Sequence, residues 1–318
     1  MRIGIPRALQ YFQYFPLWTT FLRELGFETV VSPVTNKQIL NWGIAHSVDG
    51  ACLPLKTYLG HVRALVESGI QLIFVPQIIS VAQLEYLCPN SMGLPDIVNK
   101  QVPPSVTLVS PVINGKKGTK ALVQSYLRFG LEFGSKREVQ SALERAFQAQ
   151  RRYDESLYIE PNSVPLERLN ILLIGQRYLV DDPFISIDIK KRLESAGVNV
   201  FTAAQVSEKD IMKASSILPK RMFWTSGRNA VGALEHLWEN LDGIVTLAAF
   251  ACGADSLVGE LIDRKARLGN LPNLMINLDE HTGEVGMITR LEAFLDLLER
   301  RRLHESDLSS HGKHIHTH

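Results

Sequence analysis

Short apolar runs alternate with amphipathic stretches from one end of the chain to the other, the pattern of an α/β protein built on mostly parallel strands. In the first half, strands are predicted over residues 2–5, 28–32, 72–75 and 106–109. Helical spacing marks 17–25, closed by Gly26, then 36–42, opened by Thr35 as a cap, and 55–67, stopped at Gly69. Two longer helices follow over 120–133 and 138–153. Residues 159–165 carry two prolines and no periodicity, so a linker is expected there. The alternation then restarts, with strands over 170–174, 198–201, 244–247 and 273–278. Helices are predicted over 187–195, 229–240, 257–265 and 290–301. Each half opens with a strand that leads through a loop into a helix.

The expected fold is therefore two flavodoxin- or Rossmann-like, doubly wound parallel-sheet domains, over residues 1–155 and 169–302 with a linker at 156–168. From residue 303 the chain turns polar and His-rich, with His304, His311, His314, His316 and His318. Such a tail is usually disordered. It reads either as a weak site for soft divalent metals or as a loose chain end.

Composition narrows the function classes. At 318 residues the chain is long enough for two domains. A formal charge of +1 gives no electrostatic case for nucleic acid or an anionic membrane. No apolar run reaches the length of a membrane span, and Arg2-Ile3-Gly4-Ile5-Pro6 lacks the apolar core of a signal peptide. The expectation is a cytoplasmic protein, in which three cysteines are metal-binding, catalytic or buried rather than disulfide-bonded.

Those three cysteines are the most informative residues. Each lies in a Pro- or Gly-containing segment: Ala51-Cys52-Leu53-Pro54, Leu87-Cys88-Pro89-Asn90 and Ala251-Cys252-Gly253-Ala254-Asp255. Proline fits the first position of a helix, so Cys52 and Cys88 are expected at helix starts. There, free amides and the positive end of the helix dipole are expected to lower the thiol pKa. Three thiolates without a fourth partner point to an iron–sulfur cluster with one open iron. Because ligands bind at the carboxyl ends of parallel strands, the shared site is expected in the cleft between the domains. Simple packing of free cysteines is the competing reading.

Other motifs exclude more than they assign. No G-x-x-x-x-G-K-[ST] occurs, so the chain is not expected to hydrolyse ATP itself, and H-E-x-x-H, G-x-S-x-G and G-x-G-x-x-G are absent too. Asp279-Glu280-His281-Thr282-Gly283-Glu284 follows the last strand. It is either an acid–base loop, with Glu284 and His281 as candidate catalytic groups, or a capped turn. Arg177 can hold a phosphate or carboxylate, or pair with Asp181 or Asp182.

The opening Ile3-Gly4-Ile5-Pro6-Arg7-Ala8-Leu9 and Tyr14-Phe15-Pro16-Leu17-Trp18 resemble the family of 2-hydroxyacyl-CoA dehydratase-activase-related proteins. So do Val30-Val31-Ser32-Pro33, Thr35-Asn36-Lys37, Asp49-Gly50-Ala51-Cys52-Leu53-Pro54 and Tyr86-Leu87-Cys88-Pro89-Asn90 with Gly93-Leu94-Pro95-Asp96. Further likenesses are Phe250-Ala251-Cys252-Gly253-Ala254-Asp255-Ser256, the Asp279–Glu284 loop and Thr289-Arg290-Leu291-Glu292-Ala293-Phe294. This resemblance implies relation to the subunits of 2-hydroxyacyl-CoA dehydratases and benzoyl-CoA reductases. In those, three cysteines of each subunit hold a [4Fe–4S] cluster, and a separate ATP-dependent activase supplies a low-potential electron.

By that resemblance Cys52, Cys88 and Cys252 are the cluster ligands, and solvent, Glu284 or His281 takes the remaining iron. The implied function is low-potential redox chemistry, as a dehydratase- or reductase-type component acting on an acyl-CoA substrate or as its electron carrier. Implied partners are the activase or another low-potential donor, with a homo- or hetero-dimer as the assembly. The alternative function is a non-redox protein of the same fold that binds a small anion in its cleft.

Overall fold

The protein is represented by a computed structural model that describes residues 1–160 and 167–311. Strands β1 (Arg2–Ile5), β2 (Glu28–Val31), β3 (Leu72–Phe74), β4 (Gln77–Ser80), β5 (Thr107–Val109) and β6 (Val112–Asn114) belong to the first half. The second half contributes β7 (Asn170–Ile174), β8 (Asn199–Thr202), β9 (Gly243–Ala249) and β10 (Asn273–Leu278). One parallel sheet has the order β2-β1-β3-β5, the other β10-β9-β7-β8. Viewed from its other edge, the second sheet repeats the first: second strand, first, third, fourth. Both are doubly wound, and each has its topological switch between its first and third strands.

The small sheet of β4 and β6, which the pattern did not separate, has a simple cause. Val75 N–H reaches Val109 O at 2.9 Å, and Gln77 N–H reaches Pro111 O at 3.0 Å. Pro76 and Pro111 lie between these bonded stretches. Having no N–H, they interrupt two otherwise continuous strands, so β4 and β6 extend β3 and β5 past the break.

The helices of the first half are α1 (Tyr11–Glu24), α2 (Lys37–Ala45), α3 (Leu53–Glu67), α4 (Pro89–Met92), α5 (Leu94–Asn99), α6 (Thr119–Gly130) and α7 (Lys136–Leu157). Helix α1 starts well before the expected residue 17 and runs through Pro16. Its early turns are held by aromatic packing: Tyr11 stacks on Phe15, and Phe15 meets Tyr153 of α7 edge-on at 4.9 Å. Tertiary contact here overrides the local signal of a proline. Helix α2 is capped by Asn36, whose Oδ1 accepts from Ile39 N–H at 3.0 Å, and not by Thr35.

After α8 (Arg177–Val180) come α9 (Ile189–Ser195), α10 (Glu208–Ala214), α11 (Thr225–Leu237), α12 (Gly253–Leu268) and α13 (Glu284–His311). Helix α13 extends past the expected end at 301. Residues 161–166 of the expected linker, and His314, His316 and His318 of the His-rich tail, lie outside the described residues. No described helix is long and apolar enough to cross a membrane.

The two halves share apolar contacts. Leu40 of α2 and Leu53 of α3 are buried in the same cluster as Ile171, Leu173 and Val245 of the second sheet. Helices α2 and α3 cross at Gly43 and Gly60; a Cβ at Gly60 would fall 1.9 Å from Ile39 O, so only glycine permits this approach.

A polar chain crosses the same seam. Arg7 N–H donates to Ser32 Oγ at 2.8 Å, and Ser32 Oγ lies 2.9 Å from His61 Nδ1. His61 Nε2 lies 2.9 Å from Thr35 Oγ1, which in turn donates to Asp182 Oδ2 in the second half. Thr35 spends its proton on Asp182, so His61 donates from Nε2 and accepts the Ser32 proton at Nδ1. A neutral imidazole satisfies every link. Burial, with the Arg7 charge nearby, pushes the His61 pKa down to about 3.

The unfolded imidazole protonates near its ordinary 6.5 and the folded one only near 3, so acidification between these values favours the unfolded chain. We expect the His61 ring resonances to stay at their neutral positions from pH 8 down to about pH 5. An NMR titration of the His61 ring checks this; a midpoint near 6.5 would contradict the neutral chain.

Candidate functional site

All three cysteines stand immediately ahead of helices: Cys52 before α3, Cys88 before α4 and Cys252 before α12. Cys252 follows the carboxyl end of β9, and Cys88 follows the loop after β4. They converge. Asn90, two residues past Cys88, lies with its Nδ2 3.7 Å from Cys52 Sγ. Cys252 packs against the apolar cluster that contains Cys52 and Leu55. Tyr178, just after β7, has its hydroxyl pKa raised well above the ordinary value, first by burial, then by Asp255 and by all three thiols. Cys88 and Cys252 line one cavity of about 110 Å³ together with Tyr178 and Arg177.

The thiol pKa values correct the expectation. Burial pushes Cys52 up, despite N–H donors from Leu55 and Asn90. It pushes Cys252 up to about 12, with the neighbouring Asp255 carboxylate adding to the shift. At these helix starts desolvation outweighs the dipole and the amides. Asp255 itself is raised by burial; its Oδ2 accepts from Ala249 N–H at 3.1 Å and its Oδ1 from Gln176 Nε2 at 3.1 Å.

The loop carrying Cys88 is fastened to the opposite half. Tyr86 N–H donates to Phe223 O at 2.9 Å, and the two rings stack with centroids 4.7 Å apart. Glu85, fully buried, receives Arg228 Nε of α11 at 2.9 Å and Arg221 Nη2 at 3.2 Å. A second tie joins Lys56, one turn past Cys52, to Glu280 at 2.5 Å, and this bond holds the Glu280 carboxyl below its usual range. Left-handed backbone at non-glycine residues falls in these loops too, at Leu9 (φ 51°), Leu84 (φ 60°) and Ala251 (φ 62°), the last directly before Cys252.

Other expected groups stand elsewhere. Asp279 Oδ1 accepts from His281 N–H and Thr282 Oγ1, both at 2.9 Å, so the 279–284 loop is a capped turn. His281 is exposed, Glu284 is exposed and bonded to Arg192, and neither lines the thiol cavity. Arg177 does line it, with Nε on Asp181 at 2.5 Å and Nη2 on the Tyr153 hydroxyl at 2.9 Å.

Two site features escaped the sequence reading. Glu85 and Arg228 lie far apart in sequence, and only the single cation among Ala230, Val231 and Leu234 hinted that Arg228 is buried. Asp255 was visible only as an acidic residue in the first turn of α12, three residues after Cys252; its partners, Ala249 N–H and Gln176, come from the strand end and the other loop.

A thiol-lined cavity at the facing carboxyl ends of two doubly wound parallel sheets defines the class of protein. The chain matches the family described as the CoA enzyme activase uncharacterised domain (DUF2229) over residues 2–206, and it belongs to that family. No curated protein matches the chain.

Among the described residues no group of three or more His, Cys, Asp or Glu side chains stands close enough to hold a single metal ion. A multinuclear cluster makes a different demand, since its thiolates bind separate irons and stand apart. Three converging thiols drawn from three loops fit that demand.

The Glu85–Arg228 tie carries the first test of this geometry. Glu85→Ala leaves the Arg228 guanidinium buried with only the Glu208 carboxylate, 2.8 Å from Nη1, to offset it. We expect a loss of about 3–5 kcal/mol in urea denaturation. Glu85→Gln, which keeps the shape and an acceptor, should lose less. Equal stability of Glu85→Ala and wild type would show that the pair does not fasten the halves.

Proposed function

We propose that Cys52, Cys88 and Cys252 together hold a [4Fe–4S] cluster, and that the chain works in low-potential redox chemistry of a 2-hydroxyacyl-CoA dehydratase or acyl-CoA reductase type. It serves there as the cluster-bearing component or as its electron carrier. The observation that carries this reading is the convergence of three thiols, each ahead of its own helix, from both halves around one hydroxyl, two of them lining one cavity. Family membership supports the link to a CoA-enzyme system, with an ATP-dependent activase or another low-potential donor as partner. The same reading places the chain in the cytoplasm, where thiols stay reduced.

A bound cluster would supply single electrons at low potential, and an iron without protein sulfur would act as a Lewis acid. The chain's own residues prepare the place. The amide of Asp255 donates to Cys252 Sγ at 3.5 Å, and Asn90 faces Cys52, so both sulfurs meet donors that favour the anionic form. Cys252 surrenders its proton on loading, and its high pKa makes loading easier as pH rises. Tyr178 stays protonated and neutral beside the thiols. Glu284 and His281, outside the cavity, receive no ligand role.

Protein purified anaerobically from iron-replete cells should be brown and contain about four iron and four sulfide per chain. Cys252→Ser should keep the fold and lose most of the iron, because a hydroxyl replaces a soft thiolate poorly. Acyl-CoA added to the reduced protein should alter its paramagnetic resonance spectrum in a catalytic component and leave it unchanged in a carrier. Colourless, iron-free wild type under these conditions would overturn the reading in favour of a non-redox anion-binding protein.

A further inference from the structure

The thiol cavity has unfilled hydrogen-bonding capacity on α11. Thr225, at the first position of this helix, is only 8% exposed, yet its Oγ1 has no hydrogen-bond partner among the described residues. Asn229 Oδ1, one turn further along the same helix face, is also buried and unpartnered. Both residues line the cavity. Buried polar atoms are nearly always satisfied, so two orphans facing one space mark the place of a ligand.

The surrounding groups define its charge. Trp224, ahead of α11, supplies no side-chain cap, and Thr225 N–H meets Tyr86 O only at 3.4 Å. Arg228 N–H is bonded to Trp224 O at 3.0 Å, and the amides of Ser226 and Gly227, between the two, have no backbone acceptor among the described residues. Ser226 Oγ accepts from Gln176 Nε2 at 2.9 Å, which leaves its own proton to donate. Arg177 is fixed at the cavity wall by Asp181 and Tyr153. Among the described residues no Asp or Glu lines the cavity. Helix amides, two hydroxyl donors and the edge of a guanidinium whose Nε is paired with Asp181 present donors and positive potential to one space, which suits an oxyanion.

We infer that the start of α11, through Thr225 and Ser226 and with Arg177, binds a compact oxyanion, a carboxylate or a phosphate, of a ligand presented to Cys88 and Cys252. The Asn229 amide, whose oxygen and nitrogen exchange by a half-turn, takes a neighbouring polar group of the same ligand. This deepens the proposed function and rests on it only in calling that ligand a substrate.

Inorganic phosphate and acetate are titrated separately by anaerobic calorimetry into the wild-type chain, with iron counted on the same samples. One of the two should bind with millimolar or tighter affinity, and which one it is identifies the oxyanion. Thr225→Val, nearly isosteric, should weaken that binding about ten-fold or more while iron content stays the same, and Thr225→Ser should restore most of it. Arg177→Gln should weaken binding as well and guards against a folding defect in the valine variant. Binding of neither anion in the tens of millimolar, or wild-type affinity in both Thr225→Val and Arg177→Gln, overturns the inference. Iron-free protein that still binds the anion overturns only the cluster reading, and iron-loaded protein that binds neither anion overturns only this one.

Discussion

The arrangement depends on a charge that one half buries and only the other can neutralise. Glu85 has no exposed surface, and its partners Arg228 and Arg221 come from beyond residue 220. Buried pairs contribute little net stability compared with apolar packing, but an unpartnered member is costly. Their effect is therefore to penalise every arrangement except the closed one. The Lys56–Glu280 pair and the Thr35–Asp182 bond act across the same seam. These three ties lie close to the loops that carry the cysteines, so the closed state and the thiol geometry are specified together.

Within that closed state, topology places the chemistry. Both sheets have the same strand order, and the loops that leave their strands at the carboxyl ends supply the site: Cys252 after β9, Tyr178 after β7 and Gln10 after β1. A parallel sheet delivers all its loops of one kind to one edge. Two such edges turned toward each other give a cavity whose walls belong to different sheets. The same burial that shields the site raises Cys252 and Cys52, so these thiols are poor nucleophiles unless something takes their protons.

Much of this was legible in the sequence. Strands such as 170–174 and 273–278 stood out because a buried parallel strand is a short, nearly continuous apolar run. The helix starts at Cys52 and Cys88 followed from the prolines just behind them. What could not be read was anything decided by distant partners. Helix α1 ignores Pro16 because aromatic contacts with α7 hold its early turns, and Thr35 gives up a capping role for a bond to Asp182. The Cys52 and Cys252 pKa values went up rather than down because burial is a tertiary quantity, whereas the helix dipole is visible locally. The Glu280–Lys56 bond and the exposure of Glu284 likewise depend on which face of the 279–284 turn meets α3.

Chain order gives the position of Cys252 a temporal meaning. Synthesis from the N-terminus delivers Cys52 and Cys88 early, but the third thiol appears only once residue 252 has been made. A nascent or half-closed chain therefore presents at most an incomplete set of sulfurs. Anything that requires all three can engage only finished, closed molecules, so the division of the thiols between two halves acts as a check on completion.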